Sequence, residues 1–508
     1  PGVPTLMQVP QAVRPTLLIA ACFASSCNSS SEEAVTRPDV VMIVADTLRS
    51  DRLGCYGYPR ETSPVIDSLA ESGVLFEDNT CQWPWTLPST VTLFQGRYIT
   101  GYRDYLSEEQ PSIVELFKDE GYTTIGLVAN CAVDGNQGFT RGFDHYDVSD
   151  CWENEVARIR NDRDILEIRE LMLPLVTEAL AKGPDGERPP LFLYIHAFDP
   201  HQPYLEHEDL NSVLPLTQTV SVEPADFWIT TLAARGRPAP EGRNFGWVPE
   251  LIGLRNGRGR YDQEVRYFDT GLGLILDDLK RLGINQDSVY ALVSDHGEGL
   301  WDHVSNANAG QLQRKFPIDF FYQSHGGNGY QNVMATPFVM WGHGLPSGQR
   351  VQEPVENIDL IPTLLDIANI PAPEGLDGRS LLELLDGEPS EPWREYVYCY
   401  GSHTISIRHA PSGYKVILPN GEYSERTGRE VELYNIREDP HERINLIDRE
   451  PDQATRLVQQ FATWMEENPA ELIVPGSADA ADESRRQMLA HKLSAMGYTE
   501  LDTGISTK

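Results

Sequence analysis

Positive charge is scarce in this sequence. Its 508 residues hold 41 Lys and Arg against 76 Asp and Glu, a formal net charge of −35. A chain this acidic repels polyanions, which excludes nucleic acid as a partner and disfavours anionic lipid surfaces. The charge itself reads as solubility. Cysteine is scarce too: seven residues, at 22, 27, 55, 81, 131, 151 and 399, in no zinc-binding spacing. That excludes a cysteine-built zinc module. It leaves disulfides, with Cys131–Cys151 and Cys55–Cys81 as candidate pairs, or single buried thiols. Long apolar runs are also missing: none approaches the roughly 20 residues a membrane helix needs. There is no internal repeat.

What is present begins with a leader. "MQVPQAVRPTLLIAACFASSCNSSSEEA" has one Arg, a short apolar run, small residues and a polar tract. That is the layout of a secretory signal. Ile19-Ala20-Ala21-Cys22 also resembles a lipoprotein cleavage box, with Ala24-Ser25-Ser26-Cys27 a poorer one. The expectation is an exported protein, in the periplasm or cell envelope of a bacterium or secreted, with membrane tethering only through a lipidated Cys22.

The rest alternates. "DVVMIVAD" (39–46), "TTIGLVA" (123–129), "LFLYIH" (191–196) and "SVYALVS" (288–294) are short apolar runs of buried-strand type. Between them lie helical patterns. "TSPVIDSLAESG" has Thr62 or Ser63 at the cap, Pro64 in the first turn and Gly73 at the stop, and "YDQEVRYFDTGLGLILDDLKRLG" is another. The expected fold is α/β: a large, mainly parallel sheet flanked by helices over 37–390. After about residue 390, "EYVYCY", "TISIRH", "YKVIL" and "VELYN" read as antiparallel strands before a helix from about 452. This gives a small C-terminal α+β subdomain and tail, 391–508, behind a leader and linker, 1–36. Residues 205–258 and 304–323 read as insertions overhanging the site.

Parallel sheets form sites at the C-terminal strand edge. Asp46, His196 and Asp295 fall at or just after such ends. Adjacent Asp295 and His296, in "SDHGEGLWDH", offer a carboxylate oxygen and an imidazole nitrogen, which suit zinc or manganese, with calcium or magnesium as alternatives. Thr86 precedes "PSTVTLFQG", a short helix whose N-terminus favours an anion. Its plainer reading is a helix cap.

Six stretches in order carry a family resemblance: "DVVMIVADTLRSDRLGCYGYPRETSPVIDSLAESGVLFEDN", "TLPSTVTLFQGR", "FLYIHAFDPHQPY", "SDHGEGLWDH", "NIDLIPTLLDIANIPAPEGLDGRSL" and "ELYNIREDPHERINL". Together, from about residue 38 to 470, they resemble the sulfatase family of the alkaline phosphatase superfamily. There are departures. The family's nucleophile is a Cys or Ser, followed by x-Pro-x-Arg and oxidised to formylglycine. Here the frame reads Thr86-Leu87-Pro88-Ser89-Thr90. Threonine cannot give that aldehyde, because its β-carbon carries a methyl, so no formylglycine is expected. Cys81 is no substitute, since Trp83 stands where its proline should be. Thr47 replaces the family's second metal-binding Asp, and Gly126-Leu127-Val128-Ala129 replaces its Gly-Lys-x-His.

The resemblance implies a metal on Asp46, Thr86, Asp295 and His296, as in relatives with a metal-bound threonine. It implies His201 of "DPHQPY" as the group that assists the leaving group, and His325 as an anion contact. His196 is a substrate contact or a strand-end structural histidine, Arg49 a substrate contact or an ion pair, and His303 a weaker substrate contact. A second metal on Asp199, His201 and His325 stays open. The expected activity is hydrolysis of a phosphate or phosphonate ester through a phospho-Thr86 intermediate, because a sulfo-threonine would be hard to clear. The alternatives are a sulfatase without formylglycine and a catalytically silent ligand-binding homologue. The substrate is expected to be a small-molecule, glycan or lipid ester.

Overall fold

Six consecutive apolar residues form β1 (Val40–Ala45), and all are buried. A strand with no polar face belongs inside a sheet covered on both sides. β1 pairs in parallel with β6 (Leu191–Ala197) on one edge and β7 (Val289–Ser294) on the other. Its side chains alternate between two cores. Val40, Met42 and Val44 pack on one face and Val41, Ile43 and Ala45 on the other. The computed structural model describes residues 37–468 except 100–104, 109, 149–162, 182–185, 187, 217–247, 301, 304–324, 388–391 and 420–429, with backbone alone for 248–256.

With β2 (Val74–Phe76), β4 (Thr123–Val128), β5 (His145–Val148), β8 (Phe338–Gly342) and β9 (Gln349–Val351), the main sheet runs β5-β4-β6-β1-β7-β8-β2-β9. β8 is antiparallel to β7 and β2, and the other pairs are parallel. Helices Thr86–Gln95, Ile113–Asp119 and Leu360–Ile367 supply the core on one face, and Pro64–Ser72, Ile165–Ala179 and Val248–Leu282 that on the other. β3 (Asn79–Thr80) and β10 (Val355–Glu356) make a separate parallel pair. β11 (Tyr396–Tyr400), β12 (Thr404–His409), β13 (Tyr414–Pro419) and β14 (Glu432–Asn435) form the antiparallel C-terminal sheet. Helix Pro451–Glu467 covers it, with Trp464 stacked on Tyr398 at 4.3 Å.

Some local expectations change. Ser63 occupies the N-cap of Pro64–Ser72, but its side chain makes no cap bond. Asp269 of the long helix does so instead, accepting the Val65 and Ile66 N–H groups at 3.1 and 2.8 Å. The long helix starts at Val248, so the end of the expected 205–258 insertion is helical. The remainder of that segment's Pro/Gly stretch, the 304–323 insertion and the leader with Cys22 lie outside the described residues. No described helix is long and apolar enough to cross a membrane. The Cys55–Cys81 pairing is overturned: both thiols are free. Cys81 is buried with Val333, Met334 and Cys399, its Sγ 3.2 Å from the Trp83 carbonyl. Cys131 is disulfide-bonded, with its partner outside the described residues.

A buried ion pair inside the C-terminal subdomain ties it to the catalytic domain through Gln331. Lys415 Nζ lies 2.8 Å from Glu442, and the two side chains are 2% and 0% exposed. Glu442 also accepts the Gln331 N–H at 2.6 Å, and Lys415 donates to Gln331 Oε1 at 3.0 Å. Removing one member strands the other charge. Glu442→Ala is expected to cost about 3 kcal/mol or more, and Lys415→Met combined with Glu442→Gln clearly less. Urea midpoints of the three chains check this. Equal losses would mean that the pair contributes nothing as a pair.

Candidate active site

Four strands of the main sheet end at one place. Asp46 follows β1, His196 is the second-to-last residue of β6, Asp295 and His296 follow β7, and Asn130 lies just past β4. Asp46, His196 and Asp295 are fully buried, and one ligand atom of each lies within 4.8 Å of the others. His196 Nε2 is 3.8 Å from Asp46 Oδ2 and 3.9 Å from Asp295 Oδ2. His296 Nε2 joins them, 3.8 Å from Asp46 Oδ1 and 3.4 Å from Asp295 Oδ2. Asn130 Nδ2 donates to Asp46 Oδ2 at 2.6 Å, while the Asn130 carbonyl oxygen accepts the Ala132 N–H at 2.9 Å.

Thr86 comes from the opposite side. It is the first residue of helix Thr86–Gln95, all of which is buried. Trp85 occupies the N-cap, so the reading of Thr86 as a simple cap does not hold. Gly96, at φ +62°, ends the helix in the left-handed region that glycine adopts at least cost. The Thr86 hydroxyl is 3.2 Å from His296 Nε2 and hydrogen-bonds the Asp295 carboxylate. Ser89, one turn on, donates to the Asp295 carbonyl at 2.5 Å and fixes the helix against β7. The positive end of the helix dipole therefore faces the carboxylates.

Burial sets the charge states. It pushes His196 down to about 4 and His201 and His325 to about 3, and it lowers His296 as well. These imidazoles are neutral at pH 7, as metal ligands must be. The Gly297 carbonyl, 2.9 Å from His296 Nδ1, places the proton there and leaves Nε2 as a lone pair facing the cluster. Burial pushes Asp295 up to about 6, against the pull of His196 and of the His296 and Thr47 N–H groups. Thr47 adopts φ +57°, a strained value for a β-branched residue. Its N–H donates to Asp295 Oδ1 at 3.2 Å, and Tyr261 Oη donates to its carbonyl at 2.7 Å.

The other sequence-derived residues divide. His325 Nδ1 is 3.0 Å from Glu298 Oε1, and its ring lies 4.4 Å from His296 and 5.1 Å from His201. His201 Nδ1 is 2.6 Å from the Gln202 carbonyl, and the ring packs on Phe198. These three imidazoles follow one another, and His296 at one end lies beside Thr86. Arg49 is not brought into the cluster: its guanidinium is held by Asp51, Asp302 and the Glu298 carbonyl. His303 is stacked on Tyr330 at 3.6 Å, toward the C-terminal sheet. Asp199 accepts the Ile165 N–H at 2.9 Å, adding to the capping box that Asp164 and Glu167 make at the start of Ile165–Ala179. Sequence reasoning missed Asn130 and Glu298. The strand-end rule that picks out Asp46 applies equally to Asn130, which follows β4. Glu298 sits two residues past His296.

Does this donor set fit a divalent cation? His196 Nε2 and Asp295 Oδ2 are buried with no hydrogen-bond partner, and both face the cluster. Native interiors leave few such atoms, and two carboxylates beside neutral imidazoles are a donor set suited to a divalent cation. The residues fit. A cation competes with the proton on Asp295, so its affinity should fall as pH drops through about 6. We expect roughly tenfold weaker zinc or manganese binding at pH 5 than at pH 7. Titration calorimetry at the two pH values checks this, and a flat profile would remove Asp295 from the ligand set. Asn130→Ala, which frees Asp46 to turn, should weaken the same binding by roughly 10- to 100-fold.

Comparisons with known proteins bear on the family and the fold. A family model described as "Sulfatase" matches residues 38–370, and one described as "N-sulphoglucosamine sulphohydrolase, C-terminal" matches 328–470. The chain is 26% identical to an ulvan-active sulfatase of Formosa agariphila over 415 residues, covering 76% of this chain and 73% of that protein. It is 25% identical to a steryl-sulfatase of Rattus norvegicus, covering 73% and 74%. A phosphonate monoester hydrolase of Silicibacter pomeroyi shares the fold, with a TM-score of 0.63 at 18% identity over 86% of this chain and 97% of that one. With the buried Asp and His set at the sheet edge and Thr86 opposite it, these matches make the chain a member of the sulfatase family and an ester hydrolase of the alkaline phosphatase superfamily.

Proposed function

We propose that this protein hydrolyses a sulfate ester carried by a small molecule or a glycan, at one divalent cation held by Asp46, His196, Asp295 and His296 beside Thr86. The convergence of those neutral imidazoles and buried carboxylates on the Thr86 hydroxyl carries the reading. The sulfatase names of the relatives support sulfate over phosphorus. Mixed nitrogen and oxygen donors favour zinc or manganese. When bound, the cation neutralises charge on a non-bridging oxygen.

The chain's own groups do the rest. N–H groups at the start of helix Thr86–Gln95 face an anion seated at Thr86. Thr86 donates its hydroxyl hydrogen bond to Asp295 and so turns an oxygen lone pair outward to orient water; where it attacks instead, its proton leaves to solvent. In the sulfate reading, water attacks sulfur and releases a proton to solvent, the sulfur bond to the ester oxygen breaks, and that oxygen takes a proton. His201 is the proposed donor. Its Nδ1–H is committed to the Gln202 carbonyl, so Nε2 must gain the proton first, and an anionic substrate beside it raises its basicity.

A second reading rests on Thr86 itself. Its alkoxide attacks phosphorus, the alcohol leaves, and water attacks phospho-Thr86 to restore the hydroxyl. Phosphate and phosphonate esters fit that path, since no carbon–oxygen bond of the threonine need break. Export remains part of the proposal, and the disulfide on Cys131 supports an oxidising compartment.

The test compares p-nitrophenyl sulfate, p-nitrophenyl phosphate, its bis-diester and phenylphosphonate, with zinc or manganese, on the wild type and Thr86→Ala. Sulfate turnover that dominates and falls by 10- to 100-fold in Thr86→Ala is expected for an orienting hydroxyl. Phosphorus turnover that dominates and vanishes in Thr86→Ala would replace the first reading with the second. Tight metal binding without turnover of any ester would leave a silent binding protein.

A further inference from the structure

A cavity of about 240 Å³ lies between the β3–β10 pair and the turn joining β12 to β13. None of Asp46, Thr86, His196, His201, Asp295, His296 or His325 lines it. Two of the residues that do line it carry a buried polar atom with no hydrogen-bond partner: Nη2 of Arg408 and Oδ1 of Asn79. Arg408 is 5% exposed and Asn79 2%. Their other atoms are engaged. Arg408 Nη1 donates to Asp78 at 2.9 Å. Asn79 Nδ2 donates to Thr336 Oγ1 and Asn357 Oδ1, both at 2.8 Å, which fixes its amide so that the oxygen is the one left over. One charged donor and one neutral acceptor thus share the wall of one cavity, and buried groups of that kind normally have partners.

The charge around the cavity differs from that of the whole chain. Glu77 pairs with Arg350, and Asp78 pairs with Arg408. Arg437 is exposed, and among the described residues it donates only to the Ala410 carbonyl. The lining's two anions and two cations balance, in a protein whose net charge is −35, and because Glu77 is drawn to Arg350 outside the lining, Arg437 has no carboxylate partner among the described residues. A neutral ligand would leave Arg437 without a counter-charge and offer Arg408 Nη2 only an uncharged acceptor. A bare anion would leave the Asn79 carbonyl without a donor.

We propose that this cavity binds a small polyhydroxylated ligand bearing one oxyanion group, a carboxylate, sulfate or phosphate. The oxyanion accepts from Arg408 and Arg437, and a hydroxyl donates to Asn79 Oδ1. The volume suits a unit of monosaccharide size. Arg408, Ala410 and Gly413 come from the C-terminal sheet and its turn, and Asn79 from β3, so the ligand also bridges the catalytic domain and the C-terminal subdomain. The unit is either a free sugar acid or one residue of a longer anionic glycan.

Titration calorimetry on the full chain tests this with D-glucuronate, D-glucose 6-sulfate and D-glucose. The two anionic sugars are expected to bind at least tenfold more tightly than glucose. Arg437→Ala, at an exposed position, should weaken them at least tenfold, while p-nitrophenyl ester turnover stays within twofold. Arg408→Lys, which keeps the charge beside Asp78 but loses the fork, should do the same. A uronate-containing tetrasaccharide that binds tighter than D-glucuronate would identify the ligand as part of a polymer, and equal binding as the free unit. Equal binding of charged and neutral sugars would overturn the proposal. So would anion binding that survives both Arg variants but disappears in Thr86→Ala, because it would then belong to the metal site.

Discussion

The register of three neighbouring parallel strands is the constraint on which the rest depends. β6, β1 and β7 are aligned so that Val44 sits opposite His196 and Ala45 opposite Ser294. Aligned residues of neighbouring strands share a face. Asp46 therefore emerges two residues past Val44 on the His196 side, level with Asp295 one residue past Ser294. A slip of one residue in β1 would turn Asp46 toward the opposite core and remove it from the cluster. The alternation of Val40, Met42 and Val44 with Val41, Ile43 and Ala45 between two cores prevents that slip, because both faces are filled. The hydrophobic packing thus specifies where the ligands stand.

Placing two carboxylates there without water is costly, and the surroundings show how the cost is offset. Asp46 takes the Asn130 amide, and Asp295 takes the N–H groups of Thr47 and His296 and the Thr86 hydroxyl. Thr47 accepts a strained φ so that its N–H can point at Asp295, and Tyr261 holds that strain by bonding both the Thr47 carbonyl and the Arg49 N–H. These bonds leave atoms of His196 and Asp295 unanswered. An interior that builds this many supports around a half-satisfied centre is shaped for a cation rather than for stability alone.

Much of this was legible in the sequence, for physical reasons that also mark where it was not. Buried parallel strands announce themselves as unbroken Val/Ile runs, and "DVVMIVAD" and "SVYALVS" place Asp46 and Asp295 at their ends. Antiparallel strands alternate, so β11 to β14 were visible as well. His196 was ambiguous, because a histidine inside a strand reads the same whether it packs or ligates, and only the register with Val44 decides. Arg49 was ambiguous for a similar reason. Asp51 stands two residues on, but Asp302 is distant in sequence, and the local carboxylate alone does not show that the guanidinium is fully engaged. Asp269 as the cap of Pro64–Ser72 is a tertiary substitution for a local signal, which no local pattern can carry. Thr86 was visible as a departure from its family, yet its chemistry turns on the neutral His296 beside it.

The position of His296 is itself set from a distance. Gly297 and Glu298 donate their N–H groups to the carbonyls of Val333 and Asn332 at 2.8 and 3.1 Å. A side chain at Gly297 would collide with the Asn332 carbonyl, so this approach requires glycine. The helical turn Gln331–Met334 that supplies those carbonyls is held at its first N–H by Glu442, and Glu442 is held by Lys415 of the C-terminal sheet. A continuous chain of bonds thus runs from the small subdomain to the imidazole beside Thr86. Its rigidity suits catalysis, since an error of one ångström at a reacting hydroxyl is costly in rate. It also explains why the C-terminal subdomain meets the catalytic domain through its own buried charge pair, Lys415 and Glu442, both bonded to Gln331. An apolar seam could slide, whereas Lys415, Glu442 and Gln331 accept only one alignment.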